Sequence, residues 1–143
     1  MNFNEITPGI SLLGTTVKSL NVENSVVDIL QDSERNFGLN INEPILDQTD
    51  SEIFAMLSIE LEIEIKQSDD QNCKIEFALG GAFLSEEDAD LEEFKGLVAI
   101  NGAAALIGIA RGKIESISAN VLNNGKILLP FINVLEYYNS EVE

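Results

Sequence analysis

A chain of 143 residues with 45% hydrophobic content is long enough for one domain with a buried core, and it carries no linker or internal repeat that would divide residues 1–143. Eight basic against 25 acidic side chains leave a formal charge of −17. That balance excludes nucleic acid and anionic membrane surfaces, which need clustered Lys and Arg, and is compatible with a basic protein partner.

In chain order, GISLLGTTVKSLNVE (9–23) is rich in strand formers, but its alternation shifts phase between Val17 and Leu20, which predicts a strand with a bulge or a switch of side. FGLNIN (37–42) alternates briefly, and Pro44 with the polar run DQTDS (47–51) marks a loop. In SIELEIEIK (58–66), Ile59, Leu61, Ile63 and Ile65 alternate with Glu60, Glu62, Glu64 and Lys66, the pattern of a strand with one wet face. After the turn QSDDQN (67–72), Cys73, Ile75, Phe77 and Leu79 repeat the pattern, so the two segments predict an antiparallel hairpin, with Gly80-Gly81 breaking or bending its second strand. Four strands therefore precede any helix. Cys73, the single cysteine, can form no internal disulfide and reads as a small buried hydrophobe.

Ser85 followed by Glu86, Glu87 and Asp88 resembles an N-cap with an acidic first turn, although the stretch to Asp90 reads equally well as a solvated loop. A short helix carries Leu91, Phe94, Leu97 and Val98, and Asn101-Gly102 interrupts it before a long helix, GAAALIGIARGKIESISANV (102–121). That helix has two uncharged faces. Ile107, Ala110, Ile114, Ile117 and Val121 form a core stripe at helical spacing, and on the far side Ala105, Gly108, Gly112, Ser116 and Ala119 are all small. Arg111, Lys113 and Glu115 are confined to the flanks, whereas a surface helix normally carries its charges opposite the core stripe. The small stripe therefore predicts a second covered face, an oligomer interface at which another helix approaches closely, with the open surface of a marginal helix as the alternative. The helix should stop at Asn123-Asn124-Gly125, with KILLPF (126–131) as an extended apolar linker and INVLEYY (132–138) as a last short helix. Strands followed by helices on one face make an α+β fold.

Histidine is absent, as are a phosphate loop, a dinucleotide fingerprint and a nucleophile elbow. EEDADLEE (86–93) lacks the Asp-x-Asp-x-Asp-Gly spacing of a calcium loop, so neither a metal site nor a cofactor nor catalysis is expected. The apolar runs are shorter than a membrane span, and MNFNEITPG lacks the charged and apolar regions of a secretory signal, so a cytoplasmic protein without direct membrane insertion is expected.

Three stretches together resemble a known family: TTVKSLNVEN (15–24), the hairpin ending in EFALGGAF (76–83), and IARGKIESISANVLNNGKILLPFINV (109–134). The anchors are Gly80-Gly81-Ala82-Phe83, Ala110-Arg111, and Leu129-Pro130 leading into Phe131-Ile132-Asn133. In this order they resemble the protein-export chaperone SecB family, over about Gly9 to Tyr138. The resemblance implies a four-stranded antiparallel sheet backed by helices, assembled as a homotetramer, a dimer of dimers with the long helices layered between outer sheets. It also implies an ATP-independent holdase that carries unfolded preproteins to SecA, or, as in some relatives, guards an antitoxin. It places a client-binding groove at the sheet edge and the loop with the short helix, here Phe37, Leu39, Phe54, Phe83, Leu84, Leu91, Phe94 and Leu97. Carboxylates on outward strand faces imply a SecA-type partner face at Glu23 and Glu76, to which Glu60, Glu62 and Glu64 add charge. Ser19 and Lys74 depart from that pattern, Ala99-Ile100-Asn101-Gly102 replaces a Gly-Tyr-Cys-Pro-like break, and the tail after Tyr138 is only NSEVE. Two other classes stand beside the holdase: a binding protein that recognises one folded partner through its acidic sheet, and a hot-dog enzyme, whose helix comes early in the chain rather than after the strands.

Overall fold

A computed structural model of the chain describes residues 9–142. The stretch read for the lack of a secretory signal lies, apart from Gly9, outside them. The elements are β1 Ile10–Asn24, β2 Glu34–Ile41, β3 Ile45–Gln48, β4 Ile53–Ser68, β5 Gln71–Ser85, α1 Leu91–Leu97, α2 Ala103–Val121 and α3 Val134–Val142. The strands form one antiparallel sheet in the order β1-β5-β4-β2, with β3 also on β4.

Four strands were expected and five are present among the described residues, because one edge of the sheet is divided. β4 is long enough to pair β2 along Ile59–Lys66 and β3 along Ile53–Met56. Pro44 lies between them and has no N–H to continue the ladder. The segment Ile45–Gln48, expected in the loop, is therefore a second edge strand. In β1 the expected bulge falls between Val17 and Ser19, and a second lies between Leu12 and Gly14. The hairpin follows the alternation: Ile59, Leu61, Ile63 and Ile65 of β4 and Cys73, Ile75, Phe77 and Leu79 of β5 are buried on one face. Burial pushes the Cys73 thiol above its ordinary pKa.

Gly80-Gly81 does not break β5, which pairs with β4 in continuous register from Asn72 through Leu84. Gly81 is instead a contact point: a Cβ there would lie 2.7 Å from Leu106 Cδ2 and 3.2 Å from Phe83 Cε2. Its missing side chain lets α2 settle onto β5. Ser85 is the last residue of β5 and not a helix cap; its hydroxyl accepts from the Ile53 N–H at 2.9 Å and donates to the Glu86 carbonyl at 2.8 Å. The cap of α1 is Asp90, whose carboxylate accepts from the Glu93 N–H at 3.0 Å.

Asn101-Gly102 does not interrupt the helical path either. A π-helical segment, Val98–Gly102, joins α1 and α2 into one helix of 31 residues from Leu91 to Val121. By length and composition it is apolar enough to cross a membrane, in contrast to the short runs read from the sequence. Here Phe94, Val98, Ala103, Leu106, Ile107, Ala110 and Ile114 are buried in the core it shares with β4 and β5. Gly81→Ala should therefore destabilise the fold by about 1–3 kcal/mol through overpacking. Gly38→Ala, where a Cβ meets nothing closer than Glu62 at 3.8 Å, should stay within about 0.5 kcal/mol of the parent. Urea-unfolding midpoints check both.

Candidate functional site

The helical layer is narrower than the sheet it covers. On β1, whose residues opposite the buried row of β5 also face the helices, Leu12, Val17 and Leu20 remain exposed. On β2, Phe37 lies opposite buried Ile63 and is itself exposed, with Leu39 half-buried beside it. Both edges of the inner face thus present apolar side chains and strand backbone together, a combination that soluble proteins normally guard.

On the outer face, strand register orders the side chains in ranks. The first rank holds Leu84 and Phe54, the second Ala82, Met56 and Ile45, and the third Thr16, Gly80 and Ser58. Beyond these come Ser19, Ala78 and Glu60, then Asn21, Glu76 and Glu62, then Glu23, Lys74 and Glu64. The face is apolar at the end that carries β3 and acidic at the β4–β5 turn. All five expected partner-face carboxylates, Glu23, Glu60, Glu62, Glu64 and Glu76, lie in its acidic half. Lys74 sits among them, 3.3 Å from Glu62 and 3.3 Å from Glu76, and Lys66 lies 3.1 Å from Glu64. Hydrogen bonds to these carboxylates raise both lysines above the ordinary lysine pKa. The pairs are exposed, so each contributes little to stability.

The eight residues expected to line one groove are dispersed. Phe37 and Leu39 are on the inner face at the β2 edge, whereas Phe54 and Leu84 are on the outer face at the other end of the sheet. Leu91 and Leu97 are half-buried on α1. Phe83 and Phe94 are core, at 2% and 1% exposure, so an aspartate at either would unfold the chain rather than test a surface. The sequence pattern does not reveal Leu12, Val17 and Leu20, because two bulges break their period, nor Ile45 and Met56, which precede the regular alternation that begins at Ser58.

The small stripe of α2 is open. Ala105, Gly108, Gly112, Ser116 and Ala119 are exposed, and nothing lies within 4 Å of a Cβ placed at Gly108 or Gly112. The flank charges instead hold the linker. Arg111 donates to the Leu129 carbonyl at 3.3 Å and the Pro130 carbonyl at 3.1 Å, with its guanidinium 5.0 Å from the centre of the Phe131 ring. Glu115 pairs with Lys126 at 2.7 Å, and the buried Ser118 hydroxyl accepts from the Ile127 N–H at 2.7 Å. α3 is fastened by two tyrosines: Tyr137 accepts from the Ile41 N–H of β2 at 2.9 Å, and Tyr138 donates to the Ala99 carbonyl in the π-helical segment at 2.9 Å. No group of three or more His, Cys, Asp or Glu side chains is placed to hold a metal ion among the described residues.

This architecture matches solved structures. A SecB-like chaperone of Mycobacterium tuberculosis, determined with a ChAD peptide from the HigA1 antitoxin, superposes with a TM-score of 0.60 over 87% of this chain and 91% of its own, at 14% identity. The fold is SecB-like. A Streptococcus agalactiae protein of unknown function shares it with a TM-score of 0.52 over 85% of this chain and 97% of its own, at 12% identity. Neither the family models nor the curated proteins give a match.

Within this SecB-like fold, α3 is held partly through Tyr138, whose pKa burial and then the neighbouring Tyr137 raise above the ordinary tyrosine value. Between the unfolded value near about 10 and the raised folded value, the folded state holds more protons, so stability is complete below that window and falls as pH rises through it. Tyr138→Phe should lower stability at neutral pH by about 0.5–1.5 kcal/mol and flatten the decline above about pH 10. Urea titrations at several pH values check this; parallel curves for the two proteins would contradict it.

Proposed function

We propose that the chain is an ATP-independent holdase that binds non-native polypeptide and keeps it from aggregating. The observation that carries this reading is the unguarded inner face at both sheet edges, with Leu12, Val17 and Leu20 on β1 and Phe37 on β2. Extended chains are captured at such places by burial of apolar side chains and backbone pairing, without strict sequence rules. The SecB-like fold supports the reading. No phosphate loop accompanies it, and no enzymatic activity is proposed.

The finer proposals concern clients and assembly. The mycobacterial neighbour was solved with an antitoxin peptide, which supports an antitoxin as client beside the alternative of unfolded preproteins delivered to SecA. The acidic outer half supports a basic motor partner held by charge, an attraction that shortens with the screening length, about 8 Å near physiological salt. We place the protein in the cytoplasm as a homotetramer, a dimer of dimers, with the open small stripe of α2 as the interface. Two glycines inside a helix cost about 1 kcal/mol each relative to alanine, and close approach of a second helix offsets that.

Leu20→Asp and Phe37→Asp lie at exposed sites, so each should retain the fold and reduce protection of two unrelated aggregating clients by about tenfold in effective concentration. Light scattering during client refolding measures this. A wild-type chain that protects neither client would favour recognition of one folded partner instead. Capture from the source cells then separates the client classes: many preproteins support export, and one small partner supports a dedicated role. In sedimentation, Gly108→Leu should shift a tetramer to dimers; a wild-type monomer would overturn the assembly.

A further inference from the structure

We propose that Asn124-Gly125 is a site of spontaneous deamidation whose product, an aspartate or isoaspartate at 124, releases a clasp that ties the end of the long helix to the sheet. The reagent is water, and the proposal is independent of the holdase reading.

The clasp joins the β1–β2 connection to the chain leaving α2. The Asp28 carboxylate accepts from the side-chain amides of Asn123 at 3.0 Å and Asn124 at 3.1 Å. The two backbones run side by side: the Asn123 N–H donates to the Val27 carbonyl at 2.8 Å, and the Ile29 N–H donates to the Asn124 carbonyl at 3.2 Å. Gln67 of β4 fastens the same connection to the sheet, accepting from the Leu30 N–H at 2.6 Å and donating to the Asp28 carbonyl at 3.1 Å. Val26 and Leu122, which flank the clasp in sequence, are buried. This arrangement requires glycine at 125, where φ is +94° and a Cβ would overlap Ile29 Cγ2. The packing that closes the clasp therefore also keeps, directly after Asn124, the residue that shields an asparagine side chain least from its own backbone.

In the reaction the Gly125 nitrogen attacks Asn124 Cγ. The N–Cγ bond forms, the Cγ–Nδ2 bond breaks, and Nδ2 leaves as ammonia with the proton that Gly125 gives up. Water then opens the resulting succinimide: addition at Cγ gives aspartate, and addition at the backbone carbonyl gives isoaspartate, the Gly125 nitrogen regaining its proton in either case. Two features separate this pair from the other Asn-Gly of the chain. Asn124 and Gly125 are exposed beyond the last turn of α2, and among the described residues the Gly125 N–H donates no hydrogen bond. Asn101 is held in the π-helical segment, and Gly102 is buried against Phe83 with a helical φ of −63° and ψ of −47°; ring closure needs the asparagine backbone to leave helical geometry. Conversion of Asn124 replaces a donor to Asp28 by a second carboxylate, and two like charges at hydrogen-bond distance repel. The isoaspartyl form also adds a methylene to the backbone just before Gly125, where the Ile29 contact leaves no room.

The test ages the full-length chain at mildly alkaline pH and weighs its tryptic peptides, each about one dalton heavier where an amide has become a carboxyl. In the folded chain, peptide 114–126 should gain this mass at Asn124 about tenfold faster than peptide 96–111 gains it at Asn101, and in urea the two rates should converge. Asn124→Gln, whose longer side chain closes a ring far more slowly, should remove the gain from 114–126. Amide hydrogen exchange at Asn123 and Ile29 should accelerate about tenfold in Asn124→Asp and return toward the parent when Asp28→Asn is added, because an amide and a carboxylate then face one another again. Asn124 and Asp28 are both exposed, and circular dichroism verifies the fold of each variant. Equal rates at Asn101 and Asn124 in the folded chain, or no gain at Asn124 where the urea-unfolded chain shows one, overturns the site. A gain at Asn124 with exchange at Asn123 and Ile29 unchanged in Asn124→Asp overturns the release of the clasp.

Discussion

The structure depends on a mismatch of widths. A helix about 10 Å across can bury two adjacent strands spaced about 4.8 Å apart, and the sheet is four strands wide. The long helix lies on the two central strands, β4 and β5, where Gly81 lets it approach and Leu106, Ala110 and Ile114 are fully buried. That contact fixes the fold and, by the same geometry, leaves the inner faces of β1 and β2 without a complete cover. Exposed apolar rows at the edges are a consequence of the packing that stabilises the centre.

What surrounds this contact limits where the chain can adapt. One flank of the helix is committed to the linker through Arg111, Glu115 and Ser118, and the end of β2 is capped by a tyrosine of α3. The free surfaces are therefore separate: the edge rows on the inner face, the graded outer face, and the small stripe of α2. The proposed holdase activity would need apolar surface that resists self-association, and a formal charge of −17 with acidic side chains over half of the outer face opposes that association.

The parts of the fold legible in the sequence were those where one period governs one element. Alternation from Ser58 to Lys66 and from Cys73 to Leu79 placed the hairpin, and the 3-4 spacing from Ile107 to Ile114 placed the core stripe. Where two structures share a short stretch, the pattern misled. Ile45 and Leu46 carry too few residues to announce a strand, and only pairing with β4 makes them one. Asn101-Gly102 is a helix breaker locally, yet a π-helical segment carries the helix through it, with the Phe83 ring packed where a Gly102 side chain would lie. The outward placement of the acidic residues was legible because charges alternating with apolar residues on a strand announce the wet face. Its apolar positions were not, because exposed and buried apolar residues look alike until the helix layer is in place: Phe37 and Phe83 read the same in sequence, and only one is covered.

The central claim is that the surface left over by a narrow helix layer is the surface that binds non-native chain. Hydrogen exchange of the protein alone and with a soluble, permanently unfolded client measures it segment by segment. The account predicts added protection along β1 and along β2 with β3, and little change in α2 beneath Leu106, which is already closed. Protection confined to the β4–β5 turn, or none at any segment at saturating client, would contradict it.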